Sequence, residues 1–135
     1  MIYLLDSNTC IAYLRKPLGP LAQRILATPP NDLALSAVTV VELHRGAYLS
    51  AQVVDNLAKV NAFVTRFIVL PLDTRAGEIA GRVDAELAKQ GQRIGPYDTL
   101  IAAIALANDL TLVTHNTGEF GRIAGLRLAD WEATP

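Results

Sequence analysis

Three carboxylates and one amide, Asp6, Glu42, Asp98 and Asn116, are the side chains of this sequence best suited by type and position to a shared chemistry. Asp6 ends the apolar run 2–5. Glu42 lies early in the helix predicted after the run 33–36, and Asn116 follows the run 111–114. Asp98 comes two residues after Pro96, in the first turn of another predicted helix. Carboxylates gathered in a partly buried place repel one another and cannot all stay ionised unless a cation joins them. All-oxygen donors favour Mg²⁺ or Mn²⁺ over zinc. Such an ion lowers the pKa of a bound water and neutralises charge on the departing oxygen of a phosphodiester, so phosphodiester hydrolysis is the chemistry the set implies.

Each member also has an ordinary explanation. Asp at a strand-to-helix junction is a good N-cap. Glu42, among Val40, Val41 and Leu43, suits a solvated helix position. Asp98 would gain ~0.3–1 kcal/mol from the helix dipole with no metal at all. Their joint placement at one end of several elements is what favours a site. His44, two residues from Glu42, points to another helix face and reads as structural. His115 reads as a solvated loop residue outside the catalytic set.

The elements that would position these residues alternate along the chain. Strands are predicted at 2–5, 33–36, 68–70 and 111–114, with a last edge strand at 126–128. Helices are predicted after Asp6, over 18–27, after Ser36, over 52–67, over 75–90 with Gly91 as its stop, and from Pro96 through the apolar stretch 100–107. Trp131 is expected to pack the tail back onto the body. Strands separated by such helices imply an α/β fold with a parallel sheet, right-handed crossovers and helices on both faces. Ligands of such folds bind beyond the C-terminal ends of the strands, where Asp6, Glu42 and Asn116 are aimed.

Composition sets the frame. A chain of 135 residues with 51% hydrophobic content suits one domain with a real core. Twelve basic and 13 acidic residues give a net charge of -1, so any grip on a polyanion must be local rather than global. Cys10 is the only cysteine, which excludes an internal disulfide and fits a reducing cytoplasm; its neighbours place it facing a core. The N-terminus lacks the features of a signal peptide, and no run approaches the ~20 apolar residues of a membrane span.

The segments LLDSNTCIAYL (4–14), SAVTVVELHRGA (36–47), GPYDTLIAAIALA (95–107) and TLVTHNTGEF followed by GLRLADW carry a family pattern. Through them the chain resembles PIN-domain ribonucleases, and among these the VapC toxins of bacterial toxin–antitoxin pairs, over essentially its whole length. The resemblance implies a single PIN domain over 1–135, a three-layer α/β/α fold around a mostly parallel sheet of four to five strands. It implies catalytic roles for Asp6, Glu42, Asp98 and Asn116, with Asp6 and Asp98 holding Mg²⁺ or Mn²⁺ and Glu42 positioning or deprotonating the attacking water. Many members have Asp where Asn116 stands; an amide brings no charge, so a second metal is in question and Glu119 is a candidate to compensate. Asn8 and Thr114 match positions flanking the acidic site and are given orienting roles.

The GPYD loop and the TxNxxEF ending look like the enteric-type subgroup, which points to initiator tRNA, cut in its anticodon stem-loop. Arg15, Lys16, Arg45, Lys89 and Arg93 are candidates for gripping the RNA. A homodimer and a VapB-like antitoxin are implied as partners. Two other readings stand beside this one: an aspartyl-nucleophile phosphatase, which would want an acid where Asn8 stands, and a degenerate PIN-fold binding module without catalysis.

Overall fold

The computed structural model describes residues 1–133. Its centre is a five-stranded sheet in the order β3-β2-β1-β4-β5, formed by β1 (Tyr3–Leu5), β2 (Leu33–Ser36), β3 (Ile68–Leu70), β4 (Thr111–Val113) and β5 (Leu128–Ala129). Every neighbouring pair is parallel. The helices are α1 (Ser7–Arg15), α2 (Pro20–Ala27), α3 (Ala37–Leu49), α4 (Val53–Val64), α5 (Thr74–Lys89), α6 (Pro96–Ala107) and the short α7 (Thr117–Phe120).

Strand alternation sends successive residues to opposite faces and so divides the interior in two. Leu4, Ala34 and Leu112 join α5 and α6 in one core, through Ala76, Val83, Leu87, Ile101 and Ile104. Leu5, Leu35 and Val113 join α1 to α4 in the other, with Cys10, Tyr13, Ile25, Leu43 and Phe63. This is the three-layer α/β/α arrangement expected.

Local chemistry sets the ends of the elements. Asp73 caps α5 by accepting the Ala76 N–H at 2.9 Å. Gly91, at φ +66°, ends the same helix: its N–H reaches the Ala88 carbonyl and that of Gln92 the Leu87 carbonyl, a Schellman motif that demands a left-handed residue. The second helix begins at Pro20 rather than at 18, because proline at the first helical position has the right φ and no N–H to orphan. The last strand begins later than the sequence implies, since Leu126 closes a turn onto the Ile123 carbonyl and pairing with β4 starts at the Arg127 carbonyl. Trp131 is buried and packs edge-on against Tyr3 with centroids 5.0 Å apart, so the tail does fold back. No helix among the described residues is long and apolar enough to cross a membrane.

Candidate active site

Two strand-to-helix junctions lie side by side, because β1 and β2 are parallel neighbours. At the first, Asp6 leaves β1 in extended backbone and caps α1, with Oδ1 accepting the Thr9 N–H at 2.8 Å. Such a cap stabilises a helix by ~1 kcal/mol. Asp6 is nevertheless 2% exposed, and its Oδ2 bonds none of the described residues. Capping therefore occupies one oxygen of the carboxylate and leaves the other without a hydrogen bond to the described residues.

At the second junction Ser36 caps α3, accepting the Thr39 N–H at 3.0 Å. From there a row of hydroxyls crosses to α1 and ends on a carboxylate. Ser36 Oγ lies 3.2 Å from Thr39 Oγ1, Thr39 Oγ1 lies 3.0 Å from Ser7 Oγ, and Ser7 Oγ donates to Glu42 Oε1 at 2.7 Å. Each hydroxyl owns one proton, so fixing the last donor fixes the others: Ser36 donates to Thr39, Thr39 to Ser7, Ser7 to Glu42. A chain aligned in one sense polarises its members cooperatively and holds Glu42 in one orientation.

Asp98 arrives from the other layer, as the third residue of α6 behind Gly95 and Pro96. Burial first, and then the charges of Glu42, Asp6 and Glu119 in that order, together raise its carboxyl pKa from 3.8 to about 6. The three expected acids are thus brought within electrostatic reach, and Glu119 joins them from α7. Their ligand atoms are not drawn into one tight cage. Among the described residues the only such group lies elsewhere: His115, Asp130 and Glu132, with ligand atoms within 4.8 Å of one another. There His115 pairs with Asp130 at 3.0 Å and Asp130 also accepts the Glu132 N–H, contacts that exposed groups make without any ion.

The donor set fits a hydrated hard cation. Asp98 resists ionisation first because it is partly buried and then because Glu42, Asp6 and Glu119 put negative charge near it, and a divalent cation offsets both. Mg²⁺ keeps several of its waters and is usually held by one or two carboxylates, so spaced acids suit it better than a closed cage would.

Asn116 follows β4, half-buried, and its backbone N–H is held by the buried Thr114 hydroxyl at 2.9 Å. Thr114 therefore has the orienting contact expected of it. Asn8 does not: it is exposed and hydrogen-bonds none of the described residues, while its neighbour Ser7 makes the contact to Glu42. An aspartyl-phosphatase arrangement is disfavoured for the same reason, since position 8 carries no acid and faces solvent. His44 bridges the Val40 carbonyl and Asn61, both at 2.9 Å, tying α3 to α4 as a structural residue. Cys10 is fully buried, and burial followed by the nearby Asp6 charge pushes its thiol well above the usual range, so it stays a packed thiol.

Of the expected cationic grip, Arg15 lines a cleft that also contains Glu42. Arg93 is bound to Asp84 at 3.0 Å, and Lys16, Arg45 and Lys89 are exposed. Lys59, on α4, lines the same cleft as Arg15 and was not anticipated.

The PIN domain family matches residues 3–126 of the chain. The chain is 39% identical over 129 residues to a Shigella flexneri protein named tRNA(fMet)-specific endonuclease VapC, covering 96% of this chain and 97% of that one. It is 33% identical to Ribonuclease VapC2 of Rickettsia felis, covering 98% and 99%. Among solved structures it is similar to a chain of the DNA-bound VapBC complex from Salmonella typhimurium, with TM-score 0.92, 38% identity and coverage of 97% and 98%. A second is VapBC-1 from nontypeable Haemophilus influenzae, with TM-score 0.89, 34% identity and coverage of 98% and 100%.

Proposed function

The chain belongs to the PIN-domain family, and from that premise we propose that it is a VapC-type endoribonuclease toxin, working as one domain, that needs Mg²⁺ or Mn²⁺ to hydrolyse RNA. The observation that carries the reading is Asp98, held back from ionising by its burial and then by the charges of Glu42, Asp6 and Glu119, which reach it from other elements of the fold. Asp6, through Oδ2, and Asp98 would hold the ion. Bound there, it supplies a polarised water and charge neutralisation at the phosphodiester.

The remaining work falls to the chain. Glu42, with Oε1 tied to Ser7, offers Oε2 to orient the attacking water and take its proton. Asn116 presents a neutral amide from a backbone that Thr114 fixes. Glu119 supplies, from one turn of helix further on, the fourth negative charge that Asn116 lacks. Attack by water leaves a 5′-phosphate and a 3′-hydroxyl.

A relative bearing the name tRNA(fMet)-specific endonuclease makes initiator tRNA the first substrate to try; the GPYD loop and TxNxxEF ending point us to its anticodon stem-loop for the cut. Relatives solved as VapBC complexes make a VapB-type antitoxin the inhibitory partner; a homodimer and a cytoplasmic location complete the reading.

The test incubates purified protein with total bacterial tRNA and Mg²⁺ or Mn²⁺, beside EDTA and Asp98→Asn controls, and sequences the new ends. Metal-dependent cuts in wild type, reduced by at least about 1,000-fold in Asp98→Asn, are expected, a loss of ~4 kcal/mol of transition-state stabilisation. The ion should also raise the melting temperature of wild type and not of Asp98→Asn. Products ending in a 2′,3′-cyclic phosphate would refute the water mechanism. Intact RNA despite a metal-induced melting shift would favour the non-catalytic binding module.

A further inference from the structure

Glu42 and Gly46 stand four residues apart on α3 and so share one face of that helix. Where the next side chain along that face would be, Gly46 has none, and a Cβ built there meets nothing within 4 Å. The space belongs to a cleft of about 330 Å³ among α1, α3 and α4, whose apolar lining comes from Ile11, Leu14, Leu43 and Val60. Arg15, Asn56 and Lys59 supply its polar lining, and Glu42 is its only acid.

We propose that this cleft is a nucleotide subsite of the nuclease: it receives the base of an unpaired RNA residue next to the scissile bond, and Arg15 and Lys59 hold that residue's phosphate. The proposal rests on the RNA-hydrolysing reading above. Charge supports it first. An acidic centre on a chain of net charge -1 repels a polyanion, so contacts to phosphate must be local. Arg82, Arg93 and Arg127 are engaged by Glu86, Asp84 and Asp109. Arg15 and Lys59 have no carboxylate partner among the described residues, and both border the cleft that contains Glu42.

Size and hydrogen bonding narrow the occupant. The cleft lies at the lower end of the ~300–1,000 Å³ typical of small-molecule sites, enough for one splayed base and not for a duplex. Ser50 gives its one proton to the Ala47 carbonyl at 2.6 Å, so its oxygen must accept from the Asn56 amide at 2.9 Å. That fixes the amide and leaves Asn56 Oδ1 as an acceptor for a base amino group, which adenine, cytosine and guanine carry and uracil lacks.

Gly46→Leu sends a side chain into the cleft from a position where a Cβ meets nothing within 4 Å and improves helix propensity, so the fold should survive, as circular dichroism and melting will report. Lys59→Glu, on an exposed side chain, tests the same site without filling it. With a short fluorescent single-stranded RNA, each change should raise KM by about tenfold, as loss of one base or phosphate contact does, with kcat changed far less. An abasic residue beside the cut should weaken wild type similarly and leave Gly46→Leu indifferent. Binding of the same RNA to Asp98→Asn with and without Gly46→Leu judges the subsite even if wild type cuts nothing, which would defeat the nuclease reading separately. Equal affinities in that pair, or an abasic penalty of the same size in both proteins, overturn the subsite and give the cleft to a protein segment.

Discussion

Leu4 and Leu5 are neighbours in β1 yet belong to different cores, and the two cores are filled in different styles. Against the Leu4 face, α5 and α6 pack with small and aliphatic residues, among them Ala76, Ala102, Ala105 and Ile104, and Phe120 is the one aromatic of that core. Against the Leu5 face stand Tyr13, Phe63 and Trp131, with Tyr3 and Phe67 at their margins. Small side chains let helices sit close and make a stiff plate. Bulky ones hold helices apart and leave recesses, such as the cleft beside Glu42 and another lined by Tyr13, Phe63 and Arg66. The α5–α6 side has a recess as well, of about 310 Å³ over Gly77 and Gly81, but there Arg93 is neutralised by Asp84. One layer thus supplies Asp98 on a rigid mount, while the other supplies Glu42, the hydroxyl chain and the cleft cations Arg15 and Lys59.

Ser7→Ala would strike the working layer hardest. It deletes a hydrogen bond to a carboxylate and strands the Thr39 hydroxyl, which should lower unfolding free energy by ~1.5–3 kcal/mol in urea melts. Because Glu42 loses its orientation, single-turnover cleavage should slow while RNA affinity holds. Unaltered cleavage would reduce the hydroxyl chain to a packing device.

An intermediate effect is expected from pH, and its sign follows from Asp98. With a carboxyl raised from 3.8 to about 6, the folded protein keeps a proton that the unfolded chain has already released. The contribution is complete below about pH 4 and is lost as pH rises through about 6. In EDTA, wild type should therefore lose stability relative to Asp98→Asn between those values and run parallel to it above. A difference that is flat with pH would mean that neither burial nor the neighbouring acids hold the Asp98 proton.

The smallest change belongs to the plate. A Cβ at Gly81 meets nothing within 4 Å, so Gly81→Leu should leave RNA cleavage within about twofold and raise stability by up to ~1 kcal/mol through helix propensity. A large loss of cleavage would show that the α5–α6 recess is also in use and would undo the contrast between the layers.

Much of this was legible in the chain because it rests on periodicity and end signals. Apolar runs placed β1 to β4 nearly to the residue, and Asp6, Gly91 and Pro96 marked helix ends by ordinary chemistry. The three acids could be grouped because each lies just beyond a strand or at the start of a helix. What escaped was set by packing between layers. Ser7 and Asn8 are equally good turn residues, and only the approach of α3 decides that Ser7 meets Glu42 while Asn8 faces water. Lys59 sits on an exposed helix face, where nothing in sequence separates a cation over a cleft from one over open solvent. The start of β5 depended on a turn at Gly125, with φ +81°, whose conformation has no periodic signature.

The double duty of Asp6 constrains how this site can be silenced by mutation. One of its oxygens closes α1, so replacements other than Asn, Ser or Thr remove a helix cap together with the charge. At Asp98 folding and charge pull in opposite directions, since the ionised carboxylate is opposed by its burial and then by its acidic neighbours. Cells selected to survive the active protein should therefore yield inactive alleles of two kinds: soluble, full-abundance chains altered at 98, and chains altered at 6 that are depleted because they fold less well.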